Sequence, residues 1–315
     1  MSAHDRSATA DCSVFGAVEA VGDAWSWLVL SDAIIDGTSR FDTFQARLNI
    51  ARSTLSIRLS ALCANGLMQR RAPDYVLTDR GADFLACMMT AMAWGDRWYT
   101  DGVNTPVHVS HLGCSDRIHG VLRCAACNEV AHARATAFDR RPRATAAVRQ
   151  GQRHRAPGLD LLQRPRPSSV AGTLQVLGDR WSALIIRELF YGSHRFDEFG
   201  QRLGIASNIL AQRLRRLVEH GIVAKNVYQV RPARHEYRLT DKGLDLYPVP
   251  LSMLAWGDRW VAHGRPPVIL THRTCGRRLV PVLTCSTCAG RITRSDIVFQ
   301  HAAGQVRPER ISRRS

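Results

Sequence analysis

The pentapeptide WGDRW occurs twice, at Trp94–Trp98 and Trp256–Trp260, and the shorter strings GDAW and GDRW stand at Gly22–Trp25 and Gly178–Trp181. These are the two ends of a duplicated unit. VGDAWSWLVL (21–30) matches LGDRWSALII (177–186), SRFDTFQARLNI (39–50) matches HRFDEFGQRLGI (194–205), and YVLTDRG (75–81) matches YRLTDKG (237–243). AMAWGDRWYTDG (91–102) then matches SMLAWGDRWVAHG (252–264), and HLGC (111–114) matches HRTC (272–275). Because order and spacing are both kept, the chain must fold as two copies of one unit, each carrying its own core pattern.

The two repeated strings do different work. In the opening one, Gly22 and Gly178 are suited to end a helix in the left-handed conformation, and Asp23 and Asp179 to cap the next. In the closing one, Phe84, Leu85, Met88, Met92 and Trp98 recur at helical spacing, which predicts a long helix with its tryptophans in the core.

Between these ends each copy carries two short amphipathic helices. In copy two, Phe196, Phe199 and Leu203 share one face, a turn falls near Gly204, and Leu210, Leu214, Leu217 and Val218 form the next apolar stripe. Ser207, Asn208, Gln212, Arg213, Arg215 and Arg216 occupy its other face. Copy one places Leu55, Leu59, Leu62 and Cys63 inward and Arg52, Ser53, Thr54, Ser56, Arg58 and Ser60 outward. A second helix exposing amide, hydroxyl and guanidinium groups near its start is suited to base edges in a major groove. Ile222–Val230 and Arg234–Leu239 then predict a two-stranded wing tipped by Arg231 and Arg234, placed for phosphates or a minor groove. The matching segment Leu67–Leu77 is shorter, leaving a stub around Arg70, Arg71 and Pro73 that is expected to contact DNA weakly or not at all.

Charge agrees with that direction. Lys and Arg number 43 against 27 Asp and Glu, so the surface favours polyanions, nucleic acid first and anionic membrane second. The chain has no P-loop, Gly-rich dinucleotide turn, nucleophile elbow or HExxH helix, so no enzyme is expected. Nothing approaches the roughly 18 apolar residues of a membrane span, and the first thirty residues do not read as a secretion signal. The expectation is a cytoplasmic protein without a membrane partner.

Nine cysteines in a reducing compartment are thiols or metal ligands rather than a disulfide framework. His111, Cys114, Cys124 and Cys127 share the spacing H-x2-C-x9-C-x2-C with His272, Cys275, Cys285 and Cys288. Each set is expected to close one tetrahedral, structural zinc site, giving up to two per chain. A redox-active dithiol, or simple burial of small side chains, is the alternative. His108 and His119 compete for the fourth ligand position in copy one. Cys63 and Cys87 sit on apolar faces and read as core.

The segment LGDRWSALIIRELFYGSHRFDEFGQRLGIASNILAQRLRRLVEHGIVAKNVYQVRPARHEYRLTDKG, with its proline-bearing wing, resembles the HxlR-type winged helix-turn-helix transcriptional regulators of the MarR/ArsR-like superfamily. The resemblance covers roughly residues 12–102 and 168–264. It implies an α+β, mainly helical fold and DNA binding as a dimer joined through first and last helices. The expected organisation is a short-winged domain (12–102), a zinc-ribbon-like segment (103–130) and a basic flexible linker (131–167). A fully winged domain (168–264), a second zinc-ribbon-like segment (265–294) and a basic tail (295–315) complete it. Two such domains in one chain point to an intramolecular pseudo-dimer, with a homodimer as the alternative. The expected DNA-contacting residues are Arg52, Ser53, Thr54, Ser56, Arg58, Ser207, Asn208, Gln212, Arg213, Arg216, Arg231 and Arg234. By the same resemblance Cys12, ten residues before Gly22, is a candidate redox sensor, although copy two has Ser168 there. A thiol- or metal-responsive regulator of this fold, or a protein- or RNA-binding adaptor, are the alternative functions; the effector is not legible.

Overall fold

The computed structural model describes residues 13–100, 105–114, 116–139, 168–231, 234–264 and 266–302. Cys12, residues 140–167 of the expected linker and residues 303–315 of the expected tail lie outside the described residues. Unit one runs α1 (Ser13–Val21), α2 (Ala24–Asp36), α3 (Phe41–Leu48), α4 (Arg52–Ala64), wing strands β1 (Met68–Arg71) and β2 (Asp74–Leu77), α5 (Asp79–Ala82) and α6 (Leu85–Tyr99). After the unit-one extension, the same order returns as α7 (Ala171–Leu177), α8 (Arg180–Phe190), α9 (Phe196–Leu203) and α10 (Ser207–Glu219). Wing strands β7 (Val223–Gln229) and β8 (Arg234–Leu239), then α11 (Asp241–Asp245) and α12 (Pro248–Trp260), complete unit two. The α+β fold with two winged helix-turn-helix units is as expected. Among the described residues no helix is long and apolar enough to cross a membrane.

Local chemistry sets the joints. Asp23 accepts from the Ser26 amide at 3.3 Å, and Asp179 accepts from the amides of Trp181 and Ser182 at 3.1 and 3.2 Å, so both cap their helices as predicted. Gly22 is left-handed (φ 91°), but Gly178 is not (φ −72°); that expectation holds at one copy only. Between the paired short helices the first turn residue is left-handed in both copies, Asn49 at φ 44° and Gly204 at φ 59°. The next residue, Ile50 or Ile205, is buried. A left-handed residue ends the first helix and the apolar one anchors the bend.

The tryptophans of WGDRW are buried or half-buried, but against the other unit rather than their own. The Trp94 indole N–H donates to the Lys242 carbonyl (3.1 Å) and that of Trp98 to Asp245 (2.8 Å). Reciprocally, Trp256 donates to the Arg80 carbonyl (3.0 Å) and Trp260 to Asp83 (2.6 Å). Arg97 pairs with Asp245, and Arg259 with Asp83. The hydroxyls of Thr90 and Ser252, equivalent positions of the two units, meet at 3.1 Å. Each tryptophan and arginine contact is thus made twice about a pseudo-twofold axis, on which Thr90 meets Ser252, the pattern of an isologous interface. Trp94 and Trp256 are each 3% exposed, and burial of one such ring is worth about 4 kcal/mol.

The same string explains its glycine. α1 packs on α12, and α7 on α6. A Cβ on Gly95 would stand 2.2 Å from the Ser169 carbonyl oxygen, and one on Gly257 2.1 Å from that of Ser13, so only glycine lets these backbones approach.

The extensions interleave. Unit one contributes β3 (Val107–His111), β4 (Arg117–Ile118), β5 (Gly120–Cys124) and β6 (Thr136–Asp139), and unit two contributes β9 (Ile269–His272), β10 (Pro281–Cys285) and β11 (Ile297–His301). β5 pairs antiparallel with β10, β3 with β11, and β6 with β9. Every one of these pairings crosses between units. The expected boundaries therefore shift: residues 131–139, assigned to the linker by composition, and 295–302, assigned to the tail, are docked segments. Neither segment is itself basic, with a single Arg at 131–139 and no Lys or Arg at 295–302, and each edge strand meets a partner strand from the other copy.

Gly95→Ala and Gly257→Ala are each expected to lower stability by about 2 kcal/mol through overpacking, read from chemical denaturation. A neutral result for both would show that the units do not approach this closely.

Candidate nucleic-acid interface and metal clusters

α4 and α10 are the second helices of the two helix-turn-helix pairs, and their inward residues fix their pose. Leu55, Leu59 and Leu62, and in copy two Leu210, Leu214 and Leu217, are at most 1% exposed. Of the expected DNA-contacting residues, Arg52, Ser53, Ser56, Ser207, Asn208, Gln212, Arg231 and Arg234 are exposed, and Thr54 and Arg216 half-buried. Arg58 and Arg213 are a correction. Arg58 pairs with Asp23 at 2.6 Å, and Arg213 with Asp179 at 2.9 Å; the Arg213 side chain is only 12% exposed. Helical spacing placed both on the polar face, but the cap aspartates of α2 and α8 draw them inward, so they tie each second helix to the helix before it. Arg213 also donates to the Gln212 side-chain oxygen at 3.0 Å, which orients an exposed amide.

Two features were less visible in the sequence. Ile57, next to Arg58, is 57% exposed; as an apolar residue on a polar stretch it read as nothing in particular. Lys225 is exposed on β7 and extends the basic surface of the second wing. That wing is a hairpin with a register shift between Val227 and Gln229, whereas β1 and β2 pair over four residues each and turn at once.

The cysteine sets are brought together, but not in the expected partnership. One cluster holds His111, Cys114, Cys285 and Cys288; the other holds Cys124, Cys127, His272 and Cys275. Each takes its His-x2-Cys arm from one unit and its Cys-x2-Cys arm from the other. Local spacing could not reveal this, because two identical motifs satisfy the same count whether they close on themselves or exchange. The exchange follows from the β5–β10 pairing, which sets Cys124 opposite Pro281 and Cys285 opposite Gly120. His108 and His119 are in neither cluster.

Bonds of about 2.3 Å to sulfur and about 2.0 Å to nitrogen put the corners of a tetrahedron roughly 3.5–3.8 Å apart. Cys114 and Cys285 sulfurs are 3.8 Å apart, and His111 Nδ1 lies 3.4 Å from both Cys114 and Cys288. In the other cluster Cys124 and Cys275 are 4.0 Å apart, and His272 Nδ1 lies 3.3 Å from Cys127 and 3.6 Å from Cys275. Disulfide sulfurs would sit near 2.05 Å; these are free thiols at metal-ligand separations.

One thiol in each cluster is held below its usual range. The backbone N–H of Arg277 draws Cys275 down to about 7. Cys285 also lies below its usual value, where burial opposes the N–H groups of Cys288 and Thr287 that lower it. Cys127 and Cys114 are raised: the backbone N–H groups of Glu129 and Asp116 are outweighed by burial and adjoining thiols. A divalent cation would displace the thiol protons.

The model of the HxlR-like helix-turn-helix family matches residues 20–102 and 176–265. The chain belongs to that family. An uncharacterized HTH-type transcriptional regulator of Mycobacterium tuberculosis is 39% identical over 146 residues, 46% of this chain and 92% of the relative; it is therefore about half as long. YvaP of Bacillus subtilis, also an HTH-type transcriptional regulator, is 37% identical over 89 residues, 28% of this chain and 82% of the relative. Among solved structures, the redox regulator HypR in its reduced form is 36% identical, covering 31% of this chain and 99% of its own, with a TM-score of 0.29.

The cross-unit clusters make an unusual demand on variants of this HxlR-like protein. Cys114→Ala combined with Cys285→Ala is expected to remove one equivalent of bound metal, and Cys114→Ala combined with Cys124→Ala to impair both sites. Metal counting by mass spectrometry after loading with zinc checks this. The reverse ranking would mean that each copy closes its own site.

Proposed function

We propose that this HxlR-like protein is a sequence-specific, cytoplasmic DNA-binding transcriptional regulator in which one chain supplies both halves of the DNA-reading unit. The observation that carries the reading is the pair of second helices, α4 and α10, buried along one leucine stripe each and exposing polar faces in a chain of this family. Each helix would enter a major groove, with Arg52, Ser53, Thr54 and Ser56 in unit one and Ser207, Asn208, Gln212 and Arg216 in unit two at base edges or flanking phosphates. Arg231 and Arg234 on the second wing would lie on the backbone or in the adjacent minor groove. Half-sites one helical turn apart, about 34 Å, suit two such helices related by a twofold axis.

Zinc fits both clusters, since three thiolates and one imidazole fill a tetrahedral site with no position left for water. Its contribution when bound would be structural: a cross-link between the two extensions. The chain's own residues do the rest, because the WGDRW interface already fixes one unit against the other.

Affinity for the selected duplex should fall steeply with salt, roughly a thousand-fold between 50 and 200 mM if six phosphates are contacted, as read by fluorescence anisotropy. Arg215→Ala, at an exposed position of α10, should weaken binding with stability unchanged. Arg213→Ala should instead cost about 3 kcal/mol of stability, as expected when one member of a buried ion pair is removed. Binding that ignores salt, or an Arg213→Ala protein as stable as the parent, would contradict these assignments.

A further inference from the structure

The duplication has treated the two faces of the second helices differently. α4 and α10 correspond residue for residue at an offset of 155, and their inward leucines are identical, as is the arginine that each gives to a cap aspartate. Six positions of each helix are exposed, at 52, 53, 56, 57, 60 and 64 in unit one and at 207, 208, 211, 212, 215 and 219 in unit two. All six differ in residue type. Ile57 stands where unit two has Gln212, Ser60 where it has Arg215, and Ala61, half-buried, where it has Arg216. The wings diverge in the same sense, since unit one has a four-residue hairpin where unit two has the longer β7–β8 pair. Yet the interface has kept its symmetry down to matched tryptophan hydrogen bonds. The axis has been retained and the reading faces have not.

Resting on the DNA-binding reading above, we propose that the chain recognises a non-palindromic DNA site made of two unlike half-sites. A homodimer must read a (pseudo)palindrome, because its twofold symmetry repeats every contact; a duplicated chain is released from that constraint. Unit two offers an amide held by Arg213, two guanidinium groups and a basic wing, so its half-site is read by hydrogen bonds and bound largely through phosphates. Unit one offers Ile57, 57% exposed, among the hydroxyls of Ser53, Ser56 and Ser60. A branched apolar side chain on a groove-facing helix has one distinctive target, the C5 methyl of thymine. Ile57 is therefore the specificity-determining residue of the first half-site.

Selection of bound fragments from a random duplex pool by the full chain tests this. The expected outcome is two different half-sites at fixed spacing and order, the first containing an essential thymine. Replacing that thymine by deoxyuridine, which lacks the methyl group, should weaken the parent about four-fold, the worth of one buried methyl group, and leave Ile57→Ala unaffected. Grafting the α10 face onto α4 with Ile57→Gln, Ser60→Arg and Ala61→Arg should shift the selected sequences toward an inverted repeat. An inverted repeat selected by the parent, or a single half-site with no preference at the other, would overturn the inference while leaving DNA binding intact. No enrichment of any duplex at low salt would instead overturn the DNA-binding reading on which it rests.

Discussion

The contact on which the molecule depends is the reciprocal seating of one unit's WGDRW helix against the other's. Each α6 or α12 tryptophan crosses the pseudo-twofold axis to a backbone carbonyl or carboxylate of the opposite unit. Each glycine admits the start of the opposite unit's first helix. These contacts combine apolar burial, which supplies most of the free energy, with indole hydrogen bonds, which fix register. A tryptophan paired in this way cannot slide along its partner without leaving its N–H unsatisfied.

Everything outward of the axis inherits that register. The extensions exchange strands, and the exchange assembles two four-ligand clusters, each from one arm of either unit. The second helices are tied back by Arg58 and Arg213 to the capped helices beside them, so their exposed faces are carried as rigid projections of the core. Spacing between the two faces is then a property of the interface, not of the segment joining the units in sequence.

Much of this was legible in the chain, and what was not has a physical cause. Helical and strand periodicity located both helix-turn-helix pairs and both wings, because an apolar stripe must recur wherever a core must be closed. Periodicity could not tell that Trp94 and Trp256 face a partner unit, since an interface of this kind has the pattern of a core. Motif spacing identified all eight candidate ligands and missed their exchange, which depends on strand pairing between residues more than 150 apart. Arg58 and Arg213 were placed outward because arginine on a polar stretch is normally solvated; the neutralising aspartates lie 35 and 34 residues away. The docked segments at 131–139 and 295–302 were hidden for a related reason: they adjoin arginine-rich stretches, and a short strand beside such a stretch is not distinguished from it unless its partner strand is known.

Intramolecular pairing means that both halves of the assembly come from a single polypeptide. The mass of the full chain in solution, measured by sedimentation equilibrium across a wide concentration range, tests it most directly. A constant value near 35.1 kDa is what intramolecular pairing of the units requires. A species of about twice that mass, holding together on dilution, would mean that units exchange between chains and that the axis described here relates two molecules.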